Sequence, residues 1–205
     1  MNTKENIQKA ALLLFNKNGV EKVTTRDIAR QAGISQGNLH YHYANKELLI
    51  ETLFEKFLRK ADELSSFTTD KPFGKEDVLK SMRENYRLMH RFRFLFVESG
   101  AVWRSAPTVR KGTEELLERK RKDFLTLIGF YQKQGMLRED LSSNQLESLS
   151  NQFVFTICSW LTAKDFLQQP IDYFIQFTFR LWIPYLQFDE MKAWEQVLEQ
   201  VPSQT

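Results

Sequence analysis

Residues 24–45 read "TTRDIARQAGISQGNLHYHYAN", and their turn signals define two short helices in the amino-terminal part of the chain. Thr24 is suited to cap the first helix, because its side-chain oxygen accepts a hydrogen bond from a first-turn N–H. Gly33 is placed to end that helix in a tight turn, and Ser35 opens a second helix that reaches about His42. Two helices joined by a glycine-containing turn, the second short and polar, predict a helix-turn-helix.

The rest of the chain also follows the helical period, apart from a polar interruption at residues 65–74. Gly19 is placed to end a helix before the quoted residues, and Asn45 to cap a long helix after them. We therefore predict an all-α protein with a three-helix helix-turn-helix domain at residues 1–46 and a larger helical domain at residues 47–205. Further helices are predicted at 75–90, 107–134, 141–166 and 170–186, the last disturbed by Pro184, with a tail helix from Asp189.

The composition is that of a folded globular protein, with 42% hydrophobic residues and 17 Phe among 205 residues. Cys158 is the only cysteine, so no disulfide forms within the chain. The amino terminus lacks the apolar segment of a signal peptide, and the longest uncharged run, residues 148–163, is too short and too polar to span a bilayer. We expect a cytoplasmic protein without a membrane segment.

The charge is distributed unevenly along the chain. Residues 1–50 carry seven basic and four acidic residues, whereas the remainder carries 22 of each, so the net charge of +3 belongs to the first quarter. A local basic excess of this size is a weak indication that the amino-terminal part meets a polyanion.

A helical wheel separates the two sides of the third helix, since successive side chains are about 100° apart. With Leu39 buried, Gly37 and Tyr41 fall on the opposite side, and Asn38 and His40 lie on the flanks of that outward face. Gly37 costs helix stability, about 1 kcal/mol relative to Ala, and one use for that cost is close approach of another backbone. Three residues lean back toward the core side: Ser35, His42 and Tyr43.

This outward face has the chemistry that reads a DNA major groove. Asn and Gln side chains pair with adenine edges, and Gln36 lies near the helix start, the end that meets bases in such motifs. His40 and Tyr41 are suited to donate to phosphates, as are Thr25 and the first-turn amides of the second helix. Lys46 follows the third helix and is expected to reach another phosphate as a point charge.

The sequence "TTRDIARQAGISQGNLHYHYANKELLI" closely resembles the DNA-binding segment of TetR-family transcriptional regulators, over roughly residues 5–52. One departure is His40, which stands where the family usually has Tyr, although Tyr41 follows directly. The resemblance rests on several spacings at once: Thr25, Ile28, Ala29, Ala32, Gly33, Ile34, Ser35, Gly37, Leu39, Tyr43 and Lys46. It implies DNA contacts at matching positions: Thr25, Arg26, Ser35, Gln36, Asn38, Tyr41, His42 and Lys46, with His40 provisional.

The resemblance also implies an all-α homodimer whose carboxy-terminal domain binds a small-molecule effector. Dimerisation would use the last two large helices, about residues 142–165 and 170–187, and their high apolar content agrees with that. A two-fold dimer demands a near-palindromic operator in double-stranded DNA. In such a repressor, effector binding moves the fourth helix and separates the two reading helices.

The aromatic segment "RFRFLFVESGAVW" at residues 91–103 is open to two interpretations, the wall of an effector pocket or ordinary core. Three nearby arginines, Arg91, Arg93 and Arg104, are likewise either partners of an anionic ligand or solvated charges. The basic run at residues 119–122 is interpreted as an exposed salt-bridged helix face rather than a nucleic-acid contact. Six residues are candidates for the pocket: Phe57, His90, Phe94, Trp103, Phe124 and Phe155.

We expect neither a metal nor another cofactor. His40 and His42 are two positions apart on one helix and point about 200° away from each other, and His90 offers no third-ligand spacing. Cys158 is interpreted as a buried small hydrophobe rather than a redox sensor. No nucleophile–base set or HExxH motif indicates an enzyme. The remaining alternative is the same fold acting as a protein-interaction or architectural module without an effector.

Overall fold

The computed structural model describes residues 2–64 and 74–199, with the side chain at position 165 excepted, and these residues are helical with no strand. The all-α prediction is confirmed. The polar interruption at residues 65–74 lies, except for Gly74, outside the described residues. The helices are α1 (Thr3–Asn18), α2 (Thr25–Gln31), α3 (Gln36–His42), α4 (Lys46–Leu64), α5 (Lys75–Arg91), α6 (Phe94–Val97), α7 (Ser99–Ser105), α8 (Pro107–Lys133), α9 (Ser143–Leu167), α10 (Ile171–Arg180) and α11 (Phe188–Glu199).

The predicted helix ends correspond to observed caps. The Thr24 hydroxyl accepts a hydrogen bond from the Asp27 N–H, and the Asp27 carboxylate accepts one from the Thr24 N–H, which makes a reciprocal cap for α2. Asn45 accepts a hydrogen bond from the Leu48 N–H at 2.8 Å at the start of α4. Gly19 has φ of +83°, so α1 ends on a conformation that favours glycine.

Three details differ from the sequence expectation. The aromatic segment forms two short helices, α6 and α7. The helix predicted over residues 170–186 stops at Arg180 and continues as a 3-10 turn, Ile183–Tyr185, because Pro184 lacks the N–H that an α-helix needs. Ser35 is exposed rather than turned to the core, since it caps α3 from an extended backbone and lies outside the helical wheel.

The described chain packs as two compact units. Unit 1 is drawn from Met1–Glu63 and Leu88–Glu115, and unit 2 from Leu64–Arg87 and Leu116–Thr205. The functional boundary expected after residue 46 stays a prediction. Among the described residues, no helix has both the length and the apolar character needed to cross a membrane.

Aromatic rings organise the core of unit 1. Phe15 of α1 contacts Phe94 of α6 with ring centroids 5.3 Å apart, and Phe57 of α4 contacts Phe92 and Phe96 at 5.8 and 5.3 Å. Phe57 and Phe94 are almost fully buried in these contacts. The aromatic segment therefore serves here as core that joins α1 and α4 to α6.

A polar pair lies inside the core of unit 2. The Tyr86 hydroxyl is 2.8 Å from the Thr178 hydroxyl, and both residues are fully buried. Burial raises the pKa of the Tyr86 phenol far above its ordinary value, so the group stays neutral. Trp160 of α9 covers the Tyr86 ring at a centroid distance of 4.6 Å. This pair connects α5 to α10 across the core.

Candidate nucleic-acid interface and ligand cavity

The turn between α2 and α3 is closed by two backbone hydrogen bonds. The Gly33 N–H donates to the Arg30 carbonyl at 3.2 Å, and the Ile34 N–H donates to the Ala29 carbonyl at 3.0 Å. Gly33 has φ of +69°, and a Cβ built there would meet nothing within 4 Å, so the conformation rather than space requires glycine. Ile28 and Leu39, both without exposed surface, anchor α2 and α3 to the core.

Helix α3 presents a polar outer face, as the wheel predicts. The Ser35 hydroxyl caps the helix by accepting a hydrogen bond from the Asn38 N–H at 3.1 Å. The Tyr41 side chain is 84% exposed, whereas His42 is half-buried. The exposed members of the face are Gln36, Gly37, Asn38, His40 and Tyr41.

Gly37 has no structural reason to be glycine. Its φ is not positive, and a Cβ built there would meet nothing within 4 Å. The helix nevertheless accepts the cost of glycine, about 1 kcal/mol relative to Ala. Neither the backbone conformation nor the surrounding described residues therefore require glycine at position 37.

His40 connects two parts of the α3 surface. Its Nδ1 is 3.2 Å from the Ala44 carbonyl oxygen, and its Nε2 is 3.4 Å from Nε2 of Gln36. A carbonyl only accepts, so the neutral ring carries its hydrogen on Nδ1 and accepts from the Gln36 amide through Nε2. This arrangement uses one hydrogen of the Gln36 amide nitrogen and leaves its second hydrogen and the amide oxygen available to a partner. In addition to the phosphate contact that the sequence predicts for it, His40 therefore positions the Gln36 side chain.

The start of α2 offers donors for a phosphate. Helix geometry leaves the N–H groups of Thr25 and Arg26 without acceptors inside the helix. The Arg26 side chain is exposed and Thr25 is half-buried. The Thr24 hydroxyl and N–H hold the pKa of the Asp27 carboxyl below its ordinary value, and Arg30, 2.6 Å away, adds to that effect. The negative charge of Asp27 is thus neutralised locally.

Lys46 has a role that its phosphate assignment does not include. Its ammonium donates to the Val20 carbonyl at 2.8 Å and to the Val23 carbonyl at 3.1 Å. Two of the three ammonium donors therefore anchor the loop between α1 and α2, and one remains. In the described structure Lys46 fixes the loop that leads into the helix-turn-helix.

Glu98 holds the same loop from the α6–α7 junction. Its carboxylate accepts a hydrogen bond from the Val20 N–H at 2.8 Å, and a Cβ at Gly19 would lie 2.5 Å from its Oε1. Arg104 of α7 pairs with Glu21 at 2.7 Å, and it holds the pKa of the Glu21 carboxyl below its ordinary value. No sequence motif indicates these contacts, because their partners are about 80 residues apart.

Asn16 of α1 binds the turn before α6 with its whole side chain. Its amide nitrogen donates to the Arg91 carbonyl at 2.8 Å, and its amide oxygen accepts from the Phe94 N–H at 3.1 Å. The Arg93 guanidinium donates to the Asn16 carbonyl at 2.8 Å. Arg93 and Arg104 are thus occupied within unit 1. The two interpretations drawn from the sequence, partners of an anionic ligand or solvated charges, include neither of these contacts.

Unit 2 contains a cavity of about 80 Å³ between α5, α8, α9, α10 and α11. An unfilled apolar cavity costs about 24 cal/mol per Å³, or about 2 kcal/mol for this volume. Rings of the lining contact one another closely, and those of Phe124 and Phe153 stack with centroids 4.0 Å apart. Six aromatic residues line it: Phe124, Tyr131, Phe153, Phe179, Trp182 and Trp194.

The six predicted pocket residues are not brought together around this cavity. Phe124 lines it, whereas Phe155 is 74% exposed on the other side of α9. Phe57 and Phe94 belong to the core of unit 1, where His90 is half-buried. Trp103 also lies in unit 1, with Arg110 5.8 Å above its ring and a buried indole N–H that has no hydrogen-bond partner among the described residues. Phe153, two positions before Phe155, lines the cavity but is not among the six residues predicted from the sequence.

The outer face of α9 and α10 in unit 2 is apolar and exposed. Phe166 is 87% exposed, which is unusual for a large hydrophobic side chain. The other exposed members are Phe155, Leu167, Tyr173 and Phe177. Exposed large apolar side chains grouped on neighbouring helices are typical of interaction surfaces.

The other predicted sites have ordinary surroundings. Within residues 2–64 and 74–199, no group of three or more His, Cys, Asp or Glu residues is placed to hold a metal ion. Burial raises the pKa of the Cys158 thiol to about 11, so it stays protonated and unreactive near neutral pH. In the basic run, Arg121 and Lys122 both pair with Glu118, as the salt-bridge interpretation predicts.

Comparison with known proteins gives one consistent result. Residues 7–53 match the family described as bacterial regulatory proteins, tetR family, and residues 56–193 match the family described as bacterial transcriptional repressor. The tetracycline repressor protein class D of Escherichia coli is 36% identical over 62 residues, which cover 30% of this chain and 28% of that protein. The chain spans well under half the length of the curated relatives it matches.

Solved structures show the same fold. A TetR-family transcriptional regulator from Marinobacter aquaeolei VT8 aligns with a TM-score of 0.88 at 22% identity, covering 98% of this chain and 99% of that one. A γ-butyrolactone receptor aligns with a TM-score of 0.73 at 16% identity, covering 97% and 96%. Together the two family matches cover most of the chain, since the first ends and the second begins within α4. The chain therefore belongs to the TetR family of bacterial transcriptional regulators, which are DNA-binding proteins rather than enzymes.

Proposed function

We propose that the protein is a cytoplasmic repressor that binds a near-palindromic operator as a homodimer and leaves it when a small molecule binds. The observation that carries this proposal is the exposed polar face of α3 around Gly37, a glycine for which the fold itself has no use.

In this proposal, Gln36 and Asn38 read base edges, and Gly37 lets α3 lie close to the DNA backbone. Tyr41 and His42 contact phosphates from the end of α3. Thr25 and Arg26 hold the neighbouring strand at the start of α2, where the helix dipole favours an anion. Ser35 shapes the start of α3, His40 orients Gln36, and the third donor of Lys46 is left for a phosphate.

The homodimer would form through the exposed apolar face of α9 and α10. Phe166 and Phe177, 87% and 48% exposed, supply apolar area that water would otherwise cover. A two-fold dimer carries two copies of α3, which suits an operator with two half-sites about one DNA turn apart or a multiple of that. Phe177→Glu is therefore expected to give a monomer that binds the operator at least tenfold more weakly.

Release by a small molecule is supported by the presence of a cavity in unit 2. The effector would stabilise a conformation in which the two α3 helices no longer fit successive grooves, and so shift the population away from DNA. One curated relative is named for tetracycline, and one structural neighbour is named a receptor for γ-butyrolactone. Those names describe those proteins.

Selection of bound sequences from random double-stranded DNA tests the proposal. We expect an enriched inverted repeat whose half-sites are about 10 base pairs apart or a multiple of that. Gel filtration of the free protein is expected to give a dimer. An absence of any enriched repeat from a dimeric, folded protein would instead favour a protein-interaction module on the same fold.

A further inference from the structure

We propose that the cavity of unit 2 is a binding site for a single uncharged aromatic ring, and that α11 forms the wall through which such a ligand is sensed. As an effector site this inference rests on the proposed function, but binding itself is measured without DNA.

The arrangement of rings around the cavity sets the shape of the ligand. Trp182 meets Phe124 edge-on at a centroid distance of 4.4 Å and Phe153 at 5.6 Å. Phe179 stacks on Trp194 at 4.6 Å with an angle of 23° between the rings. The lining thus holds both edge-to-face and stacked ring pairs, and these are the two geometries in which another flat ring packs well.

The charged side chain among the described lining residues of the cavity is already paired. Glu190 lines it, and its carboxylate is 2.8 Å from the ammonium of Lys75, which also lies 5.8 Å from the centroid of the Trp194 ring. Burial raises the pKa of Tyr131, and the nearby Glu190 carboxylate raises it further, so the phenol stays neutral. A charged ligand would therefore have to break the pair or be buried without a partner, and both are costly.

The size of the cavity limits the ligand to one ring. Its volume of about 80 Å³ is about half of the 150 Å³ of an engineered apolar cavity that stays dry and binds benzene. A ring therefore enters only if the lining moves. Met82 and Met136 line the space, and unbranched methionine side chains adapt to such a change at little cost.

Helix α11 is the wall that such a movement would reach. It carries Glu190 and Trp194, two of the residues just described. The segment before it is joined to the α8–α9 connection, where the Gln187 N–H donates to the Met136 carbonyl at 2.9 Å. Displacing Met136 for a ligand therefore strains the hydrogen bond at the base of α11.

The test compares two small molecules that differ by one carboxylate. The ¹⁹F NMR signal of fluorobenzene, titrated with the full-length protein in the absence of DNA, is expected to shift and broaden to saturation. The signal of 4-fluorobenzoate is expected to show at least tenfold weaker binding. Equal binding of both molecules would overturn the proposed ligand class, and no saturable binding of fluorobenzene would overturn the site.

Two matched variants locate the binding. Leu127→Trp places a large ring into the cavity, whereas Thr126→Trp places the same ring on the exposed side of α8. We expect Leu127→Trp to weaken fluorobenzene binding at least tenfold and Thr126→Trp to leave it unchanged. If Leu127→Trp does not fold, Leu127→Phe adds less volume and is expected to give a smaller loss in the same direction. Unchanged binding in the folded Leu127 variant would overturn the inference.

Operator binding by the same protein samples separates this inference from the proposed function. Operator binding without saturable fluorobenzene binding would overturn the ligand site alone. Saturable fluorobenzene binding by a folded dimer that selects no DNA sequence would overturn the repressor and leave the site standing.

Discussion

The outer face of α3 and the cavity of unit 2 are opposite kinds of binding surface. The α3 face is seven residues long, polar and open to water, and neighbouring residues of one helix supply all of it. The cavity is lined almost entirely by apolar groups, and it takes residues from α5, α8, α9, α10 and α11. A surface built by one helix tolerates substitution without loss of folding, whereas a surface built by five helices is part of the core. Substitutions on the α3 face are therefore expected to change binding without changing the free energy of unfolding. Substitutions in the cavity lining are expected to change both.

The largest expected effect comes from the cavity side. Phe124→Ala removes a ring that is almost fully buried and stacked on Phe153, so we expect the free energy of unfolding to fall by about 3 kcal/mol. Urea denaturation followed by circular dichroism measures this change. A loss below about 1 kcal/mol would mean that the cavity wall rearranges freely and that binding and stability are not coupled at the cavity.

The second prediction concerns the loop that leads into α2. Gly19→Ala forces a side chain into a positive φ and against Glu98, so we expect a loss of about 2–3 kcal/mol in the free energy of unfolding. Gly33→Ala is the matched control, because it has a positive φ and open space, and its expected loss is about 1–2 kcal/mol. Equal losses in the two variants would show that the contact with Glu98 contributes nothing.

The third prediction concerns the α3 side. Asn38→Ala is expected to weaken binding to the selected operator by about 1–3 kcal/mol, because one base contact is lost. Binding to random DNA and the free energy of unfolding are expected to stay within about 0.5 kcal/mol, since Asn38 is exposed. Fluorescence anisotropy on the two DNAs measures the difference. Equal losses on operator and random DNA would contradict base reading by Asn38.

The smallest expected effect separates two roles of Lys46. Lys46→Met leaves the carbonyls of Val20 and Val23 without their shared donor, so we expect a loss of about 1 kcal/mol in the free energy of unfolding. If the third donor also binds a phosphate, the slope of log affinity against log salt becomes shallower by about one unit. An unchanged slope with lower stability would assign Lys46 to the loop alone.

The sequence predicts the parts of the molecule that depend on neighbouring residues. The caps at Thr24 and Asn45, the turn at Gly33 and the outer face of α3 all follow from signals within a few positions. Hydrogen bonds within one helix turn set these features, so their pattern is visible along the chain.

The parts that sequence analysis missed depend on distant residues. Phe153 and Phe155 are both apolar and two positions apart on α9, yet one lines the cavity and the other is 74% exposed. Because α9 is rich in apolar residues on several sides, its periodicity does not reveal which side faces inward. The contact between Glu98 and Val20 likewise follows from tertiary packing, since 78 positions separate the two residues.

Asn16 connects α1 to the turn before α6 through both ends of one side-chain amide. Its amide satisfies the Arg91 carbonyl and the Phe94 N–H at the same time, as donor to one and acceptor for the other. Moving the two segments apart by about 1 Å would stretch both bonds beyond hydrogen-bond length. A displacement of residues 91–94 is therefore resisted at two atoms of one α1 side chain, so that Asn16 acts as a two-point link between the segments.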